Sequence, residues 1–204
     1  MLRYPLLATC VLVLAGCASI PPEDEAAARA LTREGYAHHQ AGDLDAALAA
    51  YDAALARNPY SAVTWNNRAC VRIRQRHLDY ALKDSARALD LRPDDPHFHN
   101  NRGVALQLDH RLSAALLAYD RAIALDGAQA NFWSNRGYAR FLQGDHRAAL
   151  LDLDTALTLD PGYIRALEQR AHVRLKLGDV DGAASDQSRA ERLLISSEPV
   201  EITR

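Results

Sequence analysis

Carboxamide side chains recur through the sequence at a spacing of 34 residues. They are Asn67, Asn101, Asn135 and Gln169, and Asn66 and Asn100 directly precede the first two. A carboxamide both donates and accepts hydrogen bonds, so one asparagine can pair with the N–H and the C=O of a single peptide unit. A row of such side chains on one surface would therefore be suited to holding an extended peptide.

A second chemical pattern combines arginine with aspartate. The arginines recur at the same spacing and are Arg68, Arg102, Arg136 and Arg170. Sixteen residues after three of them come Asp84, Asp152 and Asp186, whereas Arg102 has Ala118 at that offset. A partly buried guanidinium requires a partner, so we expect three structural ion pairs and expect Arg102 to point elsewhere. The alternative is a basic stripe that binds an acidic partner.

The elements that would position these side chains follow the same period. Residues 130–163 have the pattern of two amphipathic helices, joined at Gly144-Asp145 and closed by Pro161. The pattern recurs over units 28–61, 62–95, 96–129, 130–163 and 164–195. Every unit has alanine at two matching positions of its second helix: Ala47, Ala81, Ala115, Ala149 and Ala183, and the residue seven positions after each. A repeat of this length predicts a stack of helical hairpins.

The turn between the two helices of a unit has its own pattern. Gly42, Gly144 and Gly178 stand where a left-handed residue is needed, but Arg76 and His110 occupy that place in units two and three. If these two turns keep the same geometry, each costs about 1 kcal/mol.

The pattern resembles the tetratricopeptide repeat (TPR) family over roughly residues 28–192. The large residue of the first helix is Leu31, Trp65, Trp133 and Leu167, with His99 as a departure, and the closing proline is Pro59, Pro93 and Pro161, with Gly127 replacing it once. The resemblance implies an all-α fold, a right-handed α-solenoid of five helix-turn-helix hairpins. It also implies that the first helices line a concave groove that binds a peptide or protein.

In that frame the carboxamides fall on the concave surface, together with Tyr36, Tyr138 and Phe141. The row is similar to the asparagine ladder of some TPR peptide-binding proteins. The alternative is that the asparagines hydrogen-bond to the backbone of the next repeat. Both interpretations stay open at the level of sequence.

The amino-terminal residues have the pattern of an export signal. Arg3 precedes an apolar run over residues 4–15, which is too short to span a bilayer comfortably. The run ends in Leu14-Ala15-Gly16-Cys17, which resembles the lipobox of bacterial lipoproteins, in which the cysteine is lipidated after cleavage. The alternative is an ordinary secretory signal. We therefore expect a signal peptide over 1–17 and a tether and helix start over 18–27, with proline and acids from Pro22 onward suited to a first turn.

The lipoprotein resemblance implies anchoring of the acyl chains in a cell envelope. The residue after the cysteine is Ala18 rather than aspartate, which resembles the class sorted to the outer membrane, facing the periplasm. Residues 164–195 form the fifth repeat with a polar, cap-like outer side, and 196–204 are expected to be a flexible tail. The apolar residues before the tail, Leu193 to Ile195, are expected either to fold back onto the last repeat or to contact a partner or a second copy.

Several classes of function are not expected. The formal net charge is −2 and no basic strip with interleaved aromatics occurs, so nucleic acid is not an expected partner. No histidine pair shares a helix face at metal-ligand spacing, and hydrolase, nucleotide-binding and metalloprotease motifs are absent. We expect neither an enzyme nor a cofactor. The remaining hypotheses are an envelope adaptor for a protease, a peptidoglycan hydrolase or a pilus or secretion assembly, and a structural subunit that oligomerises without a specific groove ligand.

Overall fold

The computed structural model describes residues 20–197, which form ten α-helices and no strands. The helices are α1 Pro22–Ala41, α2 Leu44–Arg57, α3 Ala62–Arg74, α4 Leu78–Leu91, α5 Pro96–Leu108, α6 Leu112–Leu125, α7 Ala130–Gln143, α8 His146–Leu159, α9 Ile164–Leu177 and α10 Val180–Ser197. The proposed signal peptide with Cys17, the first two residues of the tether and residues 198–204 lie outside the described range.

Successive helices pair as hairpins, and the hairpins stack in chain order. The first helices α1, α3, α5, α7 and α9 contact one another in sequence, and each second helix contacts the first helix that follows it. The result is a two-layered α-solenoid, which confirms the predicted fold class. Helix α10 includes residues 196 and 197, so the helix continues slightly beyond the start predicted for the tail.

The core is built from small residues on the second helices and larger ones facing them. Ala81, Ala115 and Ala149 are fully buried, as are the rings of Tyr51 and Tyr119. Glycine lies opposite each ring because there is no room for more: a Cβ on Gly103 would come within 2.5 Å of Tyr119 Cε1. In unit two the smaller Ser85 replaces the tyrosine, and Ala69 takes the place of the glycine. The two layers therefore match each other in volume, unit by unit.

The turns within the hairpins are left-handed, whatever residue occupies them. Gly42, Gly144 and Gly178 have φ values of 83°, 92° and 85°. Arg76 and His110 adopt the same region, with φ values of 62° and 58°, at a cost of about 1 kcal/mol each. The common geometry keeps all five hairpins in one register.

The first helix of three units is tied to the loop that precedes it. Trp65 Nε1 donates to the carbonyl of Pro59 at 2.9 Å, and Trp133 Nε1 donates to that of Gly127 at 2.8 Å. His99, the departure from the family pattern, makes the equivalent bond from Nε2 to the carbonyl of Pro93 at 2.7 Å. Since a carbonyl only accepts, the Nε2 nitrogen of His99 carries the proton.

Candidate functional site

The predicted carboxamide row lies on consecutive first helices. Asn67 is on α3, Asn101 on α5, Asn135 on α7 and Gln169 on α9, and all four side chains are half-buried. Because these helices form one layer of the solenoid, residues 34 positions apart in sequence become neighbours on one surface.

Hydrogen bonds join the row to the neighbouring repeats at a sequence distance of 35 residues. Asn101 Nδ2 donates to Asn66 Oδ1 at 3.0 Å, and Asn135 Nδ2 donates to Asn100 Oδ1 at 2.9 Å. In the last pair the direction reverses, and Ser134 Oγ donates to Gln169 Oε1 at 2.6 Å. The alternative considered from the sequence placed these bonds on the backbone of the next repeat, whereas their partners are side chains.

The predicted groove set divides into two groups. Asn66 and Asn100 are only 7% and 5% exposed, so they serve the bonds between repeats and contribute little to the groove surface. Their inclusion among the groove residues is corrected accordingly. Two other members keep an atom available for a ligand: no hydrogen bond within the described residues reaches Asn135 Oδ1 or Gln169 Nε2.

Part of the predicted set converges on one cavity. A cavity of about 380 Å³ lies between α5, α7 and α9. The predicted residues Asn135, Tyr138 and Gln169 line it, together with the charged or ionisable side chains Arg165, Glu168 and His172. Apolar, aromatic, carboxamide and charged groups thus meet in a single concave surface, which suits a polar chain with an anchoring side chain.

The aromatic residues of the set differ in their surroundings. The rings of Tyr138 and Phe141 stack with centroids 6.1 Å apart, and Phe141 also packs partly against the core. Tyr36 lies at the amino-terminal end of the solenoid, outside this cavity, and is 53% exposed. Tyr138 is therefore the aromatic side chain placed to contact a ligand in the cavity.

The ionisable groups near the amino-terminal end of the row are held neutral. Burial raises the pKa of the Cys70 thiol to about 11. Burial, with smaller contributions from Cys70 and Tyr36, raises the pKa of Tyr51 to about 12. Both groups therefore carry their protons at neutral pH.

The three predicted arginine–aspartate pairs are present and share one geometry. Arg68 binds Asp84 through Nε and Nη2 at 2.8 Å each, and Arg136 binds Asp152 at 2.9 and 2.7 Å. Arg170 binds Asp186 in the same way, at 2.8 and 2.6 Å. The carboxylates are buried, so these bidentate pairs satisfy charges that would otherwise destabilise the fold.

Each of these ion pairs has two further partners that were not predicted, one bound to the arginine and one bound to the aspartate. Nη1 of Arg68, Arg136 and Arg170 reaches an aspartate of the preceding repeat, at 2.5 to 2.7 Å; these aspartates are Asp52, Asp120 and Asp154. A second arginine, four residues on, also binds each buried carboxylate; these arginines are Arg72, Arg140 and Arg174. The sequence signal was available, because an aspartate stands sixteen residues before each arginine as well as sixteen after it.

Metal binding has no support in the part of the chain that the structure describes. Residues 20–197 contain no group of three or more histidine, cysteine, aspartate or glutamate side chains placed to hold a metal ion. None of the helices in the same range has both the length and the apolar character needed to cross a bilayer.

Comparisons with known proteins agree with this architecture. The fold is shared by many solved structures, among them the following three. A thermophilic TPR protein of Thermus thermophilus is 21% identical, with a TM-score of 0.76 over 84% of this chain and 93% of that one. PilW, described as a widely conserved type IV pilus biogenesis factor, is 21% identical, with a TM-score of 0.77 over 82% and 77%. YrrB, described as a TPR protein with an unusual peptide-binding site, is 18% identical, with a TM-score of 0.63 over 86% and 90%.

The sequence comparisons identify the family. No curated protein sequence matches the chain significantly. The family model of the tetratricopeptide repeat matches residues 23–62, 66–130 and 109–164, which together make up more than half of the chain. With five stacked hairpins in one register and this match, the chain belongs to the tetratricopeptide repeat family.

Proposed function

We propose that the protein is a membrane-anchored interaction scaffold of a bacterial cell envelope, whose concave groove holds an extended segment of a partner protein. The observation that carries the proposal is the carboxamide row, because Asn135 and Gln169 line one cavity with Tyr138 and retain an acceptor and a donor without partners among the described residues. A peptide unit supplies the complementary donor and acceptor.

The spacing of the row suits an extended chain. Neighbouring first helices pack about 10 Å apart, and an extended peptide rises about 3.3 Å per residue, so the row would engage about every third residue. The description of YrrB as a TPR protein with a peptide-binding site supports this mode for the fold. The likeness to PilW supports an envelope assembly as one setting, beside the protease and peptidoglycan-hydrolase adaptors that the lipoprotein resemblance suggests.

The proposed anchor is the acylated Cys17. Helix α1 begins at Pro22, only five residues later. At most about 3.5 Å per residue, this tether reaches less than about 20 Å and would hold the solenoid close to the membrane surface. Replacing Cys17 by serine is expected to abolish labelling by a radioactive fatty acid, and continued labelling of that variant would refute the anchor.

Site-specific photocrosslinking in the native envelope tests the groove. A photoreactive residue at position 138 should give discrete adducts with a partner. The same residue at position 151 should not, because Leu151 is 67% exposed on a second helix, in the other layer of the solenoid. If positions 138 and 151 gave the same adducts in the same yield, binding of the partner would not be specific to the groove.

The carboxamides have a matched control within the chain. The double replacement Asn101→Ala and Asn135→Ala removes groove side chains and breaks two bonds between repeats. The replacement of Asn66 and Asn100 by alanine breaks the same two bonds from the buried side. The proposal requires that the first pair reduces crosslinking from position 138 while the second pair leaves it intact, with both variants folded by circular dichroism.

A structural assembly subunit is the second candidate, and the end of the solenoid favours it. Ile195 is 74% exposed and Leu194 is 47% exposed on the last helix. An apolar end of this kind can stack on another copy of the chain. Sedimentation velocity distinguishes the two: self-association that Ile195→Asp abolishes, with no groove adducts, would favour the assembly role.

A further inference from the structure

One junction between repeats lacks the ion pairs that the other three have. At the junctions of units one and two, three and four, and four and five, an arginine of the first helix binds one carboxylate of its own unit and one of the preceding unit. At the junction of units two and three, Arg102 occupies the equivalent position. Its two expected partners are replaced by Ala118 in its own unit and Ala86 in the preceding one.

Arg102 consequently has no ion-pair partner among residues 20–197. It is exposed, and it makes no hydrogen bond or ion pair with any residue of the described chain, including Asp90 one turn beyond Ala86 on α4. The second arginine of the other units is also absent, because its place is taken by the buried Leu106. Compared with the other three junctions, this one has lost both carboxylates and one arginine and retains Arg102. A separate, exposed ion pair of Arg121 with Asp94, at 2.6 Å, also joins units two and three.

The surroundings of Arg102 add to this character. Lys83 lies one turn before Ala86 on the same face of α4, and the only partner it has among the described residues is the ring of Tyr80, whose centroid is 5.5 Å from Nζ. Leu117, next to Ala118 on α6, is 71% exposed. Positive charge and exposed apolar surface thus flank the place where two carboxylates are missing.

We propose that the junction of α4, α5 and α6 around Arg102 is a second docking surface, which binds a segment of a partner protein carrying aspartate or glutamate side chains. A carboxylate of the partner pairs with Arg102 on the solvent-exposed side of the junction, since the matching internal position at Ala118 is buried. The guanidinium presents the same fork of donors with which Arg68 binds Asp84 through Nε and Nη2. Arg102, Lys83 and Leu117 are not members of the carboxamide row, so this surface is distinct from the groove.

The test uses the folded protein and two short synthetic peptides that differ only in having paired aspartates or paired asparagines. The reporter is the Nε–H resonance of Arg102 in a nuclear magnetic resonance titration. The aspartate peptide is expected to shift this resonance and to bind at least about tenfold more tightly than the asparagine peptide, since a charge-assisted hydrogen bond contributes about that factor.

Three variants make the result decisive. Arg102→Gln should weaken binding of the aspartate peptide by about tenfold. The variant Ala86→Asp should weaken it equally, because it gives Arg102 a carboxylate at the position from which Asp52, Asp120 and Asp154 bind the other three arginines. Those aspartates are exposed to solvent, so the variant should fold. Arg189→Gln, which removes an exposed charge on α10, should leave binding unchanged.

Four outcomes would overturn the proposal. Unchanged binding in the Arg102→Gln variant, or an equal loss in Arg189→Gln, would show that the peptide senses only general charge. Loss of binding in the Asn101→Ala, Asn135→Ala variant, with Arg102→Gln unaffected, would place the peptide in the groove. Arg102-dependent binding to vesicles of anionic phospholipid, without binding of the aspartate peptide, would assign the surface to a membrane.

Discussion

Asp152 accepts hydrogen bonds from two nitrogens of Arg136, at 2.9 Å from Nε and 2.7 Å from Nη2, while Nη1 of the same arginine reaches Asp120 of the preceding repeat at 2.7 Å. The Asp152 side chain is 3% exposed and that of Asp120 is 50% exposed. One guanidinium therefore joins a buried carboxylate and a solvated one, and the chain itself provides the comparison between them.

The two carboxylates are expected to differ in their effect on stability. Asp152→Asn leaves two arginines without their buried partner and should lower the free energy of unfolding by about 3 kcal/mol. Asp120→Asn removes a solvent-screened pair and should cost less than about 1 kcal/mol. Urea unfolding followed by circular dichroism measures both. If both variants lost the same free energy of unfolding, the different burial of the two carboxylates would not determine their effect on stability.

The contact between glycine and tyrosine in units one and three predicts a steric effect. A Cβ at position 103 would lie 2.5 Å from Tyr119 Cε1, so Gly103→Ala should destabilise the fold by about 1–3 kcal/mol through overpacking. Combining it with Tyr119→Ser recreates the arrangement of Ala69 and Ser85 in unit two. The double variant should be more stable than the sum of the single effects by at least about 1 kcal/mol. Strict additivity in thermal unfolding would show that the ring is not the obstacle.

The left-handed turns at Arg76 and His110 predict that replacing either residue by glycine stabilises the protein. Arg76→Gly and His110→Gly should each raise the free energy of unfolding by about 1 kcal/mol, because glycine adopts positive φ without a Cβ penalty. Gly144→Ala is the converse control: a Cβ there would meet no atom within 4 Å, so any loss is purely conformational. A stabilised Gly144→Ala variant would contradict this explanation.

Cys70 predicts a specific dependence on pH. Burial raises the pKa of its thiol to about 11, from a usual value of 9.0, so the folded protein retains the proton in a range where the unfolded chain loses it. Stability from this group is complete below pH 9 and is lost as the pH rises toward 11. Alkylation by iodoacetamide, in a chain with Cys10 and Cys17 replaced by serine, should rise with a midpoint near 11 when folded and near 9 in urea. If alkylation had the same midpoint pH in the folded and the unfolded protein, burial would not raise the pKa of the Cys70 thiol.

Much of the fold was accessible from the sequence because repetition multiplies weak signals. One alanine or one glycine-aspartate pair is uninformative, but the same residue types at matching positions of successive units placed the hairpins in register. The spacing of sixteen residues also located the pair of Arg136 and Asp152, since that offset crosses a single turn of known length. The left-handed geometry of Arg76 follows from the same register.

The contacts that were not predicted from the sequence depend on how one repeat is rotated against the next. The bond of Asn101 to Asn66, and the reach of Arg136 to Asp120, join units whose relative orientation no local pattern encodes. Likewise, His99 looked like a departure from the family because its type differs from tryptophan. Its ring nitrogen nevertheless reaches the same loop carbonyl, which depends on atom positions and not on residue class.

An arginine that binds aspartates of two repeats links those repeats non-covalently across their junction. Links of this kind are present at the junctions of Arg68, Arg136 and Arg170, whereas Arg102 makes none among the described residues. Beside helix packing, the contacts that join units two and three include the bond between Asn101 and Asn66, and an exposed ion pair of Arg121 with Asp94 at 2.6 Å. An ion pair whose two side chains are both exposed holds two repeats less firmly than one whose arginine is fixed by a buried carboxylate, so we expect the solenoid to bend more readily between its second and third hairpins than elsewhere.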